Sequence, residues 1–166
     1  YLGGADFTAA EVFSFAQATS AGDQVITLPF ADPTCLIFFS SCGTQTINTI
    51  QGGSAMMVGA CVIDGGSFSQ AVSVTRSLDV VATADTARYS RSGQCCAAIV
   101  AAAPLTSCAA LGSVTAISGT DLTINWAEAD ANARTIFCLA MKGPSFALRT
   151  FTSENDIVTE SVVDAG

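Results

Sequence analysis

The chain has 166 residues, enough for one domain with a proper hydrophobic core. Half are apolar, only 12% are charged, and the net charge is −8 with Lys142 as the single lysine. Phosphate backbones and anionic membrane surfaces select clustered Lys and Arg, so this balance argues against nucleic acid and membrane as partners.

No apolar run is long enough to span a bilayer; the nearest is residues 94–105, QCCAAIVAAAPL. No basic segment followed by an apolar one opens the chain, so no signal peptide is expected. The chain opens at Tyr1 without Met, as expected of a processed product or of the ordered part of something longer.

Strand signals follow one another along the chain. Residues 11–17 (EVFSFAQ) alternate, with Val12 on one face and Phe13 and Phe15 on the other. Residues 24–30 (QVITLPF) alternate likewise, with Ile26, Leu28 and Phe30 on one side. Residues 34–40 (TCLIFFS) form a continuous apolar run, the pattern of a strand buried on both faces. Further strands are expected at 56–63, 69–75, 79–83, 95–102, 108–117, 121–126, 135–141 and 146–151. Gly43, Gly52-Gly53, Gly65-Gly66, Gly93 and Gly119 punctuate them at turn-like intervals. Residues 127–134 (AEADANAR) have room for one or two helical turns. Roughly nine or ten short strands without intervening helices predict an all-β fold, a β-sandwich or jelly roll.

Two kinds of internal similarity stand out. Residues 22–30 lead through 31–33 into CLIFF, and residues 119–126 lead through 127–134 into TIFCLAM. Each is an amphipathic strand ending in an aromatic, then a polar link, then an apolar strand. Separately, residues 13–27 are echoed by 146–160 in Phe13/Phe146, Thr19/Thr152, Ser20/Ser153, Asp23/Asp156 and Val25/Val158. The echo predicts a module over residues 1–143. Residues 144–166 are then a C-terminal strand segment that starts a second module or adds to the sheet of another copy. The alternative is an extra edge strand packed on its own domain.

Seven cysteines carry no C-x-x-C spacing, and the chain has no histidine. A zinc site and a Ser-His-Asp or Cys-His pair are therefore not expected. Cys35, Cys61 and Cys138 lie within apolar strands and read as small buried hydrophobes. Cys35 and Cys42 stand where a turn would let them pair, although the odd total argues against a complete disulfide framework. Cys95 and Cys96 are adjacent, so a strand would send them to opposite faces. No nucleotide-binding glycine motif and no calcium loop is present, and the carboxylates are dispersed. No catalytic, cofactor-binding or metal-ligating residue is assigned, and Lys142 reads as a solvated charge at a turn. The segment Arg88-Tyr89-Ser90-Arg91 is the one concentration of positive charge. Trp126, closing an alternating strand, is expected in the core.

The segments GDQVITLPFADPTCLIFF, TADTARYS and GTDLTINWAEADANARTIFCLAMKG resemble a poorly characterised group of β-rich structural proteins of tailed phages and prophages. The shared pattern is a TLPF strand before an apolar strand, an LTxNW strand, a D-A-x-A-R link and a final aliphatic strand ending in Gly. It covers most of residues 13–143, and the high cysteine count departs from it. The resemblance implies a virion component, a decoration, fibre or tail-associated protein, and not an enzyme.

The expectation is thus a protein without cofactor, in a virion or extracellular, that assembles with copies of itself or with other virion proteins. Strand edges and weakly charged surfaces would make the contacts, with Arg88, Tyr89, Arg91, Phe146, Leu148 and Phe151 as interface candidates. The alternative is a carbohydrate-binding or adhesin module, which needs an exposed aromatic platform. A carboxylate-dependent extracellular hydrolase is a remote third reading.

Overall fold

A computed structural model describes residues 7–41, 54–78, 85–99, 108–143 and 145–149. Their regular structure is ten strands and no helix: β1 (Ala9–Ala16), β2 (Gly22–Thr27), β3 (Cys35–Ser40), β4 (Ser54–Asp64), β5 (Ser67–Leu78), β6 (Asp85–Ser92), β7 (Cys96–Ala98), β8 (Ala110–Ser118), β9 (Asp121–Glu128) and β10 (Thr135–Lys142). They form two antiparallel sheets, a six-stranded one in the order β1-β10-β3-β4-β5-β6 and a four-stranded one in the order β2-β9-β8-β7.

The period-two alternation explains the layering, because each strand sends one row of side chains between the sheets. Leu36, Phe38, Met57, Cys61, Val72 and Val74 come from the larger sheet, and Ile26, Leu122, Ile124, Trp126, Ala110 and Val114 from the smaller; all are buried. Gly65 and Gly66 close the β4–β5 hairpin with φ of 54° and 85°. Positive φ at both central residues matches the right-handed twist of the flanking strands and falls to glycine at least cost.

Two other glycines mark close approaches. A Cβ on Gly59 would stand 1.7 Å from the Cys95 carbonyl oxygen, so the chain entering β7 rests directly on β4. A Cβ on Gly112 would come within 2.9 Å of the Trp126 ring, which lies across it. Gln70 ties the sheets together: its Nε2 donates to the Val114 carbonyl (2.8 Å) and its Oε1 accepts from the Val114 N–H (2.7 Å). Val114 sits at an irregularity in the β8–β9 register, so the buried glutamine supplies partners that the ladder does not.

The repeated strand–link–strand pattern has a topological meaning. β2 pairs with β9, from Gly22 opposite Trp126 to Thr27 opposite Asp121. β3 pairs with β10. The two copies of the motif therefore lie side by side, each crossing from the small sheet to the large one. β1 pairs with β10 as well. Residues 9–27 and 121–142 thus form one antiparallel ribbon that folds across both sheets, bridged at the corner by the Gln17 N–H donating to the Arg134 carbonyl (2.8 Å).

That corner contains the motifs quoted above. Gln24 Oε1 accepts from Trp126 Nε1 (2.8 Å) and from the Ala18 N–H (3.0 Å), while its Nε2 donates to the Ala16 carbonyl (2.7 Å). Asn125 Nδ2 donates to Asp23 Oδ1 (2.7 Å). In the D-A-x-A-R link, Asp130 pairs with Arg134 while accepting from the Asn132 N–H. The GDQ and NW segments are thus cross-strand partners, and the link is closed by its own ion pair.

Several expectations change. Residues 85–92 form a strand that the alternation did not indicate; it is an edge strand, with Ala87 buried and Thr86, Arg88, Ser90 and Arg91 exposed, so its apolar signal is weak. Residues 79–83 lie outside the described residues. The strand read over 95–102 is β7, with Cys95 in a bend before it, so Cys95 and Cys96 do not diverge: their Sγ atoms are 3.8 Å apart. Residues 127–134 form the end of β9 and a bend, not a helix. Residues 145–149 are in no strand. Phe39 of CLIFF is 39% exposed, so β3 is not buried on both faces.

Candidate functional site

Each strand of the large sheet also sends alternate residues outward, and there the sequence is unusual. By register, one row runs Ser14–Phe137–Phe39–Val58–Ser73–Ser90 from β1 to β6. The next runs Val12–Leu139–Ile37–Ala60–Ala71–Ser92. Neither row carries a charge. Val12 (69%), Met56 (57%), Phe137 (43%), Phe39 and Val58 (36%) are exposed on this face, whereas Val25 (63%) is the large apolar residue exposed on the small sheet. Isolated exposed hydrophobics are ordinary, but a contiguous set on one face of a sheet marks a surface that meets something.

The face is uneven. β10 and β3 raise phenyl rings from it, while β5 and β6 present alanine and serine. Between Val58 and Ser92 the small residues leave a shallow hollow of about 530 Å3, with Ala60, Ala71, Ser73, Ser90 and Arg91 among its lining. The hydroxyls of Ser73 and Ser90 bond each other at 3.0 Å across its floor.

At the other end the face is covered. Cys35, Val62 and Met141 are buried beneath Phe7, Phe146 and Leu148. The Phe7 and Phe146 rings meet edge to face, with centroids 5.9 Å apart. Residues 145–149 thus lie as a strap on the chain's own sheet, held by side chains and not by a ladder. Phe146 does not repeat the role of Phe13, which faces the core beside Phe15.

The candidates on β6 do not form one patch. Arg88 lies opposite Thr75 and shares the outer side with Ser90. Tyr89 faces inward and packs against the core. Arg91 is exposed, and its Nη1 donates to the Tyr89 hydroxyl at 3.2 Å. Phe146 and Leu148 sit together in the strap, and Phe151 lies outside the described residues. The outward residues Val12, Phe39, Met56, Val58 and Phe137 were not singled out from sequence. The available signal was CLIFF itself, since in an antiparallel sandwich a strand without alternation needs a second apolar neighbour.

Cys35, Cys61, Cys95, Cys96, Cys108 and Cys138 are free and buried; Cys42 lies outside the described residues. Burial pushes the thiols of Cys61 and Cys138 far up, and nearby Cys95 adds to this, so both remain protonated. Such thiols are poor nucleophiles and poor metal ligands. Among the described residues no group of three or more Cys, Asp or Glu is arranged to hold a metal ion. Lys142 is partly exposed, and its Nζ donates to the Ala31 carbonyl at 3.1 Å.

No protein-family model, no curated protein and no solved structure matches the chain.

Proposed function

We propose that this protein is a structural module that assembles with copies of itself and acts through the outer face of its six-stranded sheet. One observation carries this reading: Val12, Phe39, Met56, Val58 and Phe137 are exposed together on that face. The resemblance to tailed-phage structural proteins supplies the setting, a decoration, fibre or tail-associated component of a virion. The face serves better than the strand edges. β1 carries Glu11, β2 carries Asp23, β6 carries Arg88 and Arg91, and β7 is only 3 residues long. Charge and shortness are the usual guards against edge-to-edge pairing.

The cross-strand pair Phe39 and Phe137 favours a second reading, a carbohydrate-binding module that stacks a sugar ring on exposed aromatics. Against it, two of the three hydroxyls in that row, Ser73 and Ser90, are bonded to each other, which leaves Ser14 opposite Phe137. Light scattering and electron microscopy over a range of concentrations test the first reading. Dimers or larger assemblies are expected; a chain that remains monomeric at every concentration while binding glycans overturns it in favour of the second.

A further inference from the structure

The register of the outer face goes further than its apolarity. Both uncharged rows cross β4, at Val58 and Ala60, with β3, β10 and β1 on one side and β5 and β6 on the other. On the two sides of β4, large and small residues oppose each other out to β10 and β6, and β1 has no counterpart. One strand away, Phe39 on β3 is matched by Ser73 on β5. Two strands away, Phe137 on β10 is matched by Ser90 on β6. In the neighbouring row Ile37 is matched by Ala71, and Leu139 by Ser92.

We infer that this face pairs with the same face of a second copy about a twofold axis running along β4. This rests on the assembly reading above and names its partner and geometry. The axis exchanges the two sides, so each copy's Phe39 and Phe137 enter the other's hollow beside Ser73 and Ser90, and Val58 meets Val58. A twofold contact must be self-complementary in this way. Two aligned sheets pack face to face about 10 Å apart, which needs small residues opposite large ones.

Charge selects the same partner. In a twofold contact every group near the axis meets its own copy, so a chain of net charge −8 pairs with itself most favourably through a face whose rows hold no carboxylate. The size fits as well. With the axis on β4, the five strands from β10 to β6 overlap, and at about 4.8 Å per strand and about 3.4 Å for each of eight residues they span roughly 24 Å by 27 Å. That is roughly 650 Å2, within the about 600–1,000 Å2 per partner of a standard interface.

The test uses the full chain in a Cys42→Ser background, which leaves the six buried native thiols. Val58→Cys is compared with Val25→Cys on the small sheet under mild oxidation, with circular dichroism confirming the fold of each. Val58→Cys is expected to form a disulfide-linked dimer much faster than Val25→Cys. Ser73→Trp, which fills the hollow, is expected to weaken dimerisation by at least about tenfold in sedimentation equilibrium. If the chain assembles but Val58→Cys links no faster than Val25→Cys and Ser73→Trp has no effect, the contact lies elsewhere; this inference falls and the assembly reading stands. If every variant is monomeric, both fall. If residues 1–149 dimerise where the full chain does not, residues 150–166 compete for the face and the inference is overturned in favour of that segment.

Discussion

Asp130 and Arg134 show how one pair of side chains holds a corner. They stand four residues apart in the link between β9 and β10, and both side chains are 9% exposed. Burial opposes ionisation of Asp130, but the Asn132 amide and the Arg134 guanidinium outweigh it and hold the carboxyl below its usual range. A carboxylate depressed on folding stabilises the protein above its unfolded pKa, and the contribution is lost as pH falls through the folded one. Removing the arginine leaves a shielded carboxylate with too few partners. Arg134→Ala is therefore expected to cost about 3 kcal/mol near neutrality. The difference from the parent should shrink at a second pH well below the usual carboxylate range, where Asp130 takes up a proton even in the folded protein. Urea unfolding at the two pH values, read from the fluorescence of Trp126, checks both the size and the sign. Gln70 is comparable, a buried polar residue kept because its amide completes the hydrogen bonding of Val114 in the opposite sheet.

At the scale of elements, the strap and the strand edges have opposite characters. The edges are charged or, at β7, only 3 residues long, and the strap seals one end of an apolar face. Deletion of the C-terminal segment therefore depends on where the cut falls. A chain ending at Gly143 loses Phe146 and Leu148 and uncovers Cys35, Val62 and Met141; a loss of roughly 2 kcal/mol is expected from the half-buried side chains removed. A chain ending at Arg149 keeps the strap and should unfold at a higher urea midpoint than the chain ending at Gly143. Denaturant titration of the two truncations separates them, and equal midpoints would show that the strap contributes nothing. The β9–β10 link makes a similar point about local signals. Its alanines and charges read as a helical turn, yet the chain must there cross from one sheet to the other, and the ribbon geometry overrides helix propensity.

At the scale of the molecule, long-range repulsion and a neutral contact face act against each other. Copies of a chain with net charge −8 repel before they touch, and salt screens that repulsion over about 10 Å at 0.1 M. Because the rows on the outer face hold no ion pairs, salt has nothing to weaken in the contact itself. Association is expected to strengthen as sodium chloride rises from low to moderate concentration. Sedimentation velocity across a salt series measures this, and an assembly that dissociates with added salt would point to a contact made of charges.

The all-β class and nearly every strand were legible in the sequence, because period-two alternation and glycine punctuation are local properties of the chain. So were the shared face of Phe13 and Phe15 and the burial of Trp126, Cys35, Cys61 and Cys138, since apolar positions within a strand choose the core. β6 was not, because a strand at a sheet edge buries one side only weakly. The pairing of the repeated motifs was also beyond the sequence, since their residues lie roughly a hundred positions apart and only the fold brings Gln24 to Trp126. The candidate face was hidden for the same reason. CLIFF states that β3 is apolar on both sides, but not what covers the second side. Only the tertiary structure decided that Phe146 and Leu148 cover one end and leave Phe39, Phe137 and Val58 open, because coverage depends on where distant parts of the chain come to rest.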